Sequence, residues 1–180
     1  MKKTLSILLL VSSLYSDAKL YFGLNYGSIN EEFKNDLDAQ SSSQMISFKG
    51  GYGDINAYAI DLSIDIVDNK SSIFSKTDGK KYALNLEFVK AFDFDTFMNP
   101  FFSAGFGSGQ LKITNTLQDS LSYGSLNVGV GTFIPINEYF DLEIGYKYKY
   151  LSYERVDTIV EKVSYKSHTN TIYSGFNLRF

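Results

Sequence analysis

A period of two runs through this chain from Leu20 to its last residue, Phe180, and it constrains the fold more than any other feature. Between Tyr58 and Val67, the residues Tyr58, Ile60, Leu62, Ile64 and Ile66 fall on one parity, and Ala59, Asp61, Ser63, Asp65 and Val67 on the other. A helix would scatter these two groups around its circumference, whereas a strand separates them onto opposite faces. The same parity recurs seven more times. The apolar faces read Leu20, Phe22, Leu24, Tyr26; Ile46, Phe48, Gly50, Tyr52; Tyr82, Leu84, Leu86, Phe88; Phe102, Ala104, Phe106; Leu126, Val128, Val130, Thr132, Ile134; Phe140, Leu142, Ile144, Tyr146, Tyr148, Tyr150; and Ile172, Ser174, Phe176, Leu178, Phe180. The spacing predicts eight strands and no helix beyond the N-terminal segment.

The opposite parity is small or charged. Ten of the fourteen glycines lie on it, together with Lys49, Asp61, Asp65, Glu87, Asp141, Glu143, Lys147, Lys149 and Arg179. Glycines suit a narrow, strongly coiled lumen in which eight tilted strands leave just enough room for side chains. The connections alternate long and short. Ile29–Ser43, Asp68–Lys80, Thr114–Leu121 and Glu154–Ser167 are long and polar, and Gly53–Asn56, Asp93–Asn99 and Pro135–Glu138 are short. Transmembrane barrels of the bacterial outer membrane have long external loops and short periplasmic turns. Aromatic residues gather near strand ends, as the two membrane interfaces require. Phe22, Tyr52, Tyr58, Phe92, Phe94, Phe97, Phe101, Tyr139, Phe140 and Phe180 would mark the periplasmic rim; Tyr26, Tyr82, Tyr123, Tyr150 and Tyr153 would mark the external one.

The first residues read as a secretory signal. Lys2 and Lys3 precede an apolar run from Leu5 to Val11, then Ser16-Asp17-Ala18. That run is shorter than the ~20 residues a membrane-spanning helix needs. Residues 1–18 are therefore expected to be a signal peptide and residues 19–180 the β-barrel domain. Without Lys2, Lys3 and Asp17, 15 basic and 19 acidic residues remain of the 17 and 20 in the whole chain. An acidic balance argues against nucleic acid as a partner. The chain has no cysteine, which excludes disulfides and thiolate metal sites.

The pattern resembles the small eight-stranded outer-membrane proteins of OmpA/OmpX type. The resemblance covers residues 19–180. It rests on the leader, the strand count, the loop alternation, the stretch from Phe140 to Tyr148 and the ending Tyr173-Ser174-Gly175-Phe176-Asn177-Leu178-Arg179-Phe180. It implies that Phe176, Leu178 and Phe180 form the C-terminal signal read by the barrel-assembly machinery. It also implies a monomer with outer-membrane lipids and lipopolysaccharide around it. Its function would be a non-enzymatic surface barrel that supports the envelope and contacts an external ligand through its loops, with no cofactor. The sequence carries no peptidoglycan-binding domain of the OmpA kind, so anchoring through one is not expected.

A lipocalin-like soluble barrel would invert the two faces, and the aromatic ends, glycine-rich polar face and terminal Phe180 stand against it. The nine charged residues are expected to form a paired network that plugs the lumen; a narrow porin-like channel is the alternative. Burying one such charge unpaired is costly, and cross-lumen pairs are expected between the bases Lys147, Lys149 and Arg179 of strands seven and eight and the acids Asp61, Asp65 and Glu87 of strands three and four. His168 is the single histidine. Ser164, Ser167 and Glu161 lie near it, which raises a lipid A-modifying enzyme as a third reading. The run His168-Thr169-Asn170, however, lacks the serine of the deacylase pattern, and the ordinary reading is a solvated histidine at a loop base. Gly105, Gly107 and Gly109 have the spacing of a phosphate loop, but Leu111-Lys112-Ile113 continue a strand instead of starting a helix. The first loop, with Glu31, Glu32, Asp36 and Asp38 against Lys34, reads as a solvated acidic segment without calcium-loop spacing. The second, with Lys70, Lys76, Lys80 and Lys81 against Asp68 and Asp78, reads as a solvated basic one that could meet lipopolysaccharide phosphates.

Overall fold

The computed structural model describes residues 18–34, 40–54, 56–69, 79–113, 119–154, 156–157, 162–163 and 165–180. The expected leader, apart from Ala18, lies outside them, as do Asp36, Asp38, Lys70, Lys76, Asp78, Glu161 and Ser164 of the loops.

Each period-two segment forms a strand. These are β1 (Lys19–Lys34), β2 (Gln40–Gly53), β3 (Tyr58–Asp68), β4 (Lys81–Ala91), β5 (Asn99–Lys112), β6 (Ser120–Pro135), β7 (Phe140–Tyr153) and β10 (Lys166–Arg179). Two short strands, β8 (Val156–Asp157) and β9 (Lys162–Val163), pair with each other in the last long connection. The eight long strands close into one barrel in the order β1-β10-β7-β6-β5-β4-β3-β2, all antiparallel. Each strand pairs with its sequence neighbour except at the seam, where β1 meets β10 from Tyr21↔Arg179 to Lys34↔Lys166. Closure leaves no sheet edge, so every wall amide can be paired within hydrocarbon.

Burial alternates residue by residue. On β3 the pattern reads exposed, buried, exposed throughout, with Leu62 51 % and Asp65 2 % exposed. The apolar parity therefore lies outside and the charged parity inside. From Tyr58 to Ile66 the outward face of β3 is wholly apolar. At ~3.3 Å per residue and a tilt of about 40°, that stretch covers roughly 20 Å, close to the ~25 Å apolar band of such barrels.

Two expectations need correction at the external end. The first and last long connections are shorter than read, because β1 continues to Lys34, β2 begins at Gln40 and β10 begins at Lys166. The outward residues there are polar (Asn30, Glu32, Ser42), so the strands lose their apolar face without ending. Three aromatics placed on the rims are instead inside. Phe101, Tyr123 and Tyr153 are no more than 6 % exposed and fill the lumen. Their odd numbers put them on the inward parity, which overrides their chemistry.

The lumen packs in layers. Phe33, Ala83, Leu111, Ile113, Leu121, Tyr123, Leu151 and Tyr153 form an apolar cluster toward the external end. Tyr21, Ala59, Val89, Ala91, Phe101 and Phe133 form another toward the periplasmic end. Four inward aromatics lie directly over glycines of the neighbouring strand: Tyr21 over Gly51, Phe101 over Gly131, Tyr123 over Gly109 and Tyr173 over Gly145. A methyl group at any of these four glycines would come within 2.5 Å of a ring atom. The glycines are thus explained by close approach of a ring, and aromatic cover of a bare glycine is a recognised device in sheets.

Candidate functional site: the ionic lumen

Between the apolar layers lies a polar core built from inward positions on seven strands. All nine charged residues expected in the lumen are there, and each is ion-paired. Lys147 on β7 reaches Glu87 on β4 at 2.8 Å. Lys149, two residues on, reaches Asp65 on β3 at 2.6 Å. These pairs cross the barrel, since β7 stands three strands from β4 and four from β3 in the ring. Lys49 on β2 lies between two carboxylates, at 2.5 Å from Glu143 on β7 and 3.4 Å from Asp61 on β3. Arg179 pairs with Asp141 on the adjacent β7 rather than with an acid across the lumen.

Neutral donors complete the network. Asn85 donates to Asp65 at 2.9 Å and to Ser63 at 3.2 Å, and its oxygen accepts from Lys149 at 3.1 Å and Asn127 at 3.2 Å. Tyr173 and Asn177 each donate to Glu143 at 3.1 Å. The Tyr21 hydroxyl donates to Asp61. A buried ion pair is tolerable only when its remaining lone pairs and protons are also met, and these contacts do so for Asp61, Asp65 and Glu143, whereas Asp141 Oδ2 and Arg179 Nε are left without a protein partner.

Sequence reasoning missed a sixth acid and a fifth base. Glu31 and Lys81 were assigned to solvated loops, yet both are buried and form an ion pair between β1 and β4. Tyr153 and Ser167 donate to Glu31 at 2.9 and 2.6 Å, and Lys81 donates to Tyr153 at 2.8 Å. The signal was present: Glu31 shares the parity of Ile29 and Phe33, and Lys81 that of Ala83 and Asn85.

Little space is left. One cavity of about 20 Å³ is lined by Lys49, Asp61, Glu87, Glu143, Lys147 and their neutral neighbours. A second of about 30 Å³ lies above it, lined by Glu31, Asp65, Lys81, Lys149 and others. A water needs roughly 10–15 Å³, so each holds one or two. Asn25 borders the first, and Ser125 and Thr169 the second; each has a buried side-chain oxygen without a protein partner, suited to a bridging water.

His168 is on the other side of the wall. It is half-buried on the outward parity, between the rings of Tyr148 (5.6 Å) and Tyr150 (5.3 Å), and its Nδ1 meets the Tyr148 hydroxyl. It is therefore packed against β7 rather than solvated at a loop base. Ser167 points inward to Glu31, so the two residues face opposite sides of the sheet. Among the described residues no group of three or more His, Cys, Asp or Glu is placed to hold a metal ion. Phe176 and Leu178 lie on the outer face of β10 and Phe180 follows just beyond its end, with Phe180 against Phe22 at 6.1 Å and Phe176 stacked on Phe140 at 5.7 Å.

An antiparallel barrel of eight strands, apolar outside and ionic within, defines the class of bacterial outer-membrane barrels. Residues 5–180 match the family described as the outer membrane protein beta-barrel domain, and the chain belongs to that family. Among solved structures, Neisserial surface protein A superposes with a TM-score of 0.72 at 16 % identity, over 91 % of this chain and 99 % of that one. Ail, the attachment invasion locus protein of Yersinia pestis, gives 0.54 at 15 % identity, over 91 % and 99 %. OprG of Pseudomonas aeruginosa gives 0.52 at 11 %, over 92 % and 97 %. At these identities the likeness is one of fold. No curated protein matches the chain.

Proposed function

We propose that this protein is a non-enzymatic, non-conducting barrel of the outer membrane that supports the envelope and displays its external loops to a ligand. The observation that carries the first part is the sealed lumen. Eleven charges of both signs are paired there, the cavities hold only a water or two, and an apolar layer lies at either end. An ion entering would have to break a desolvated pair before leaving its own hydration shell, and both steps are costly. Planar-bilayer recording of the refolded barrel tests this. The expected trace shows no steady conductance above the bare bilayer, and a stable, ungated current would replace the plug with the narrow channel.

The second part rests on the loop lengths and on the relatives. Ail is named for attachment and invasion, and one of its structures holds the heparin analogue sucrose octasulfate. Replacing residues 70–78 and 155–164 of the two twelve-residue connections by short glycine-serine turns should leave a folded barrel that has lost ligand or host-surface binding. Binding unchanged by those replacements would limit the role to the envelope. The lipid A-modifying reading has no support from His168, whose ring packs between two tyrosines.

A further inference from the structure

The turn joining β4 to β5, from Phe92 to Met98, breaks the usual character of a short periplasmic connection. It presents Phe92, Phe94 and Phe97 at 43, 64 and 71 % exposure, interleaved with Asp93 and Asp95. Phe94 and Phe97 lie beyond the last residue of β4 and before the first of β5, so they are not part of the barrel wall. The β6–β7 turn exposes a single ring, Tyr139, beside Ile136.

The turn is built, not loose. The Phe92 amide donates to the Pro100 carbonyl at 2.9 Å, the Asp95 amide to Asp93 at 2.8 Å, and Thr96 to the Met98 carbonyl at 2.8 Å. Asp95 takes the left-handed conformation at φ 54°, which closes the bend. These contacts hold the phenyl rings out on a fixed frame.

The rings also continue the lipid-facing wall. Phe88 packs against Tyr58 at 5.6 Å, and the Lys90 ammonium sits 3.8 Å above Tyr58 and 5.4 Å from Phe92. Phe92 stacks on Phe94 at 6.2 Å, nearly parallel. A ladder thus runs from the apolar wall, past a cation held between two rings, onto the turn. Aromatic rings favour the membrane interface, and a lysine stem lies along apolar surface while its ammonium seeks a polar or anionic group. In this class the short turns face the periplasm, so the nearby lipid surface is the inner leaflet.

We propose that the β4–β5 turn lies in the inner leaflet of the outer membrane and not in the periplasmic solvent, with Lys90 taking a phospholipid headgroup phosphate. Phe94 and Phe97 rest among glycerol and upper acyl groups beside that headgroup, and Asp93 and Asp95 face the water. This holds whether or not the lumen conducts.

The chain contains no tryptophan, so one substitution supplies a single fluorophore. Phe94→Trp and Phe97→Trp would each be refolded into vesicles of phosphatidylcholine and phosphatidylglycerol, with folding checked by heat-dependent gel mobility. The expected emission is blue-shifted from free tryptophan, strongly quenched by phospholipid brominated near the glycerol end of the acyl chain, and little quenched by aqueous iodide. Phe106→Trp, on the outer wall, serves as the membrane-buried standard. Water-like emission with iodide quenching in both turn variants would overturn the proposal. The headgroup contact is read separately: raising the phosphatidylglycerol fraction should raise the unfolding temperature of the wild type more than that of Lys90→Gln. Equal responses would remove Lys90 from the proposal.

Discussion

Each inward charge described in this barrel has a counter-charge, and that partner determines what a substitution does. Lys147 and Glu87 meet at 2.8 Å with side-chain exposures of 15 and 6 %. Removing one member of a buried pair typically destabilises by about 3–5 kcal/mol, because the other charge is left without a counter-charge. Lys147→Met is expected to fall in that range in denaturant-dependent refolding into bilayers. The double variant Lys147→Met with Glu87→Met should recover most of the loss, since apolar groups of similar volume substitute well for a buried pair. A double variant as weak as the single one would mean that the charges hold the lumen together through other contacts. The glycines under the rings make a second case. Gly145→Val forces branched carbons into the Tyr173 ring, whose hydroxyl donates to Glu143. Its loss should exceed that of Gly124→Val on the outer face, where an added carbon meets nothing within 4 Å. Overpacking of this kind typically costs about 1–3 kcal/mol. Comparable stability of the two variants would show that the ring moves aside without penalty.

Among the elements, β3 is the plainest, with every apolar residue but Ala59 and Val67 outward, Asp61 and Asp65 inward, and only the terminal Asp68 an outward acid. Leu62 stands at the middle of its outward face and is 51 % exposed. Leu62→Arg should destabilise the folded barrel by ~2–4 kcal/mol in a bilayer, the penalty for a cation at the midplane of such a barrel. A neutral result would place the strand off-centre in the membrane. The turns test the orientation. Protease added to intact cells should cut within the longest connections, most readily at residues 69–80 with their many polar side chains, since polar loop tips are where chains are nicked. The β2–β3 turn around Asp54 should be cut only after the outer membrane is breached, and earlier cleavage there would reverse the topology. Elements were legible because alternation survives in every strand. Their external ends were not, because Asn30, Glu32 and Ser42 replace the apolar face once the wall rises above hydrocarbon. A polar-polar alternation reads as a loop by composition, and only hydrogen bonding to β2 and β10 shows that β1 continues to Lys34.

At the scale of the whole molecule, closure converts a set of two-faced strands into a container whose contents are decided by geometry. The sequence by itself determined the strand count and which parity carries the charges. These are local properties, written in a period of two and in turn composition. It also placed Lys49, Asp61, Asp65, Glu87, Asp141, Glu143, Lys147, Lys149 and Arg179 on one face. Which base meets which acid was decided only by the tertiary structure. Pairing across a lumen depends on strand tilt and stagger, so Lys147 finds Glu87 sixty positions away while Arg179 stays with its neighbour Asp141. The same stagger brought Glu31 and Lys81 together as a buried pair, and set Phe101, Tyr123 and Tyr153, inward by parity, against glycines and other rings of the lumen. Local pattern says which way a side chain points, and the closed barrel decides what it meets there.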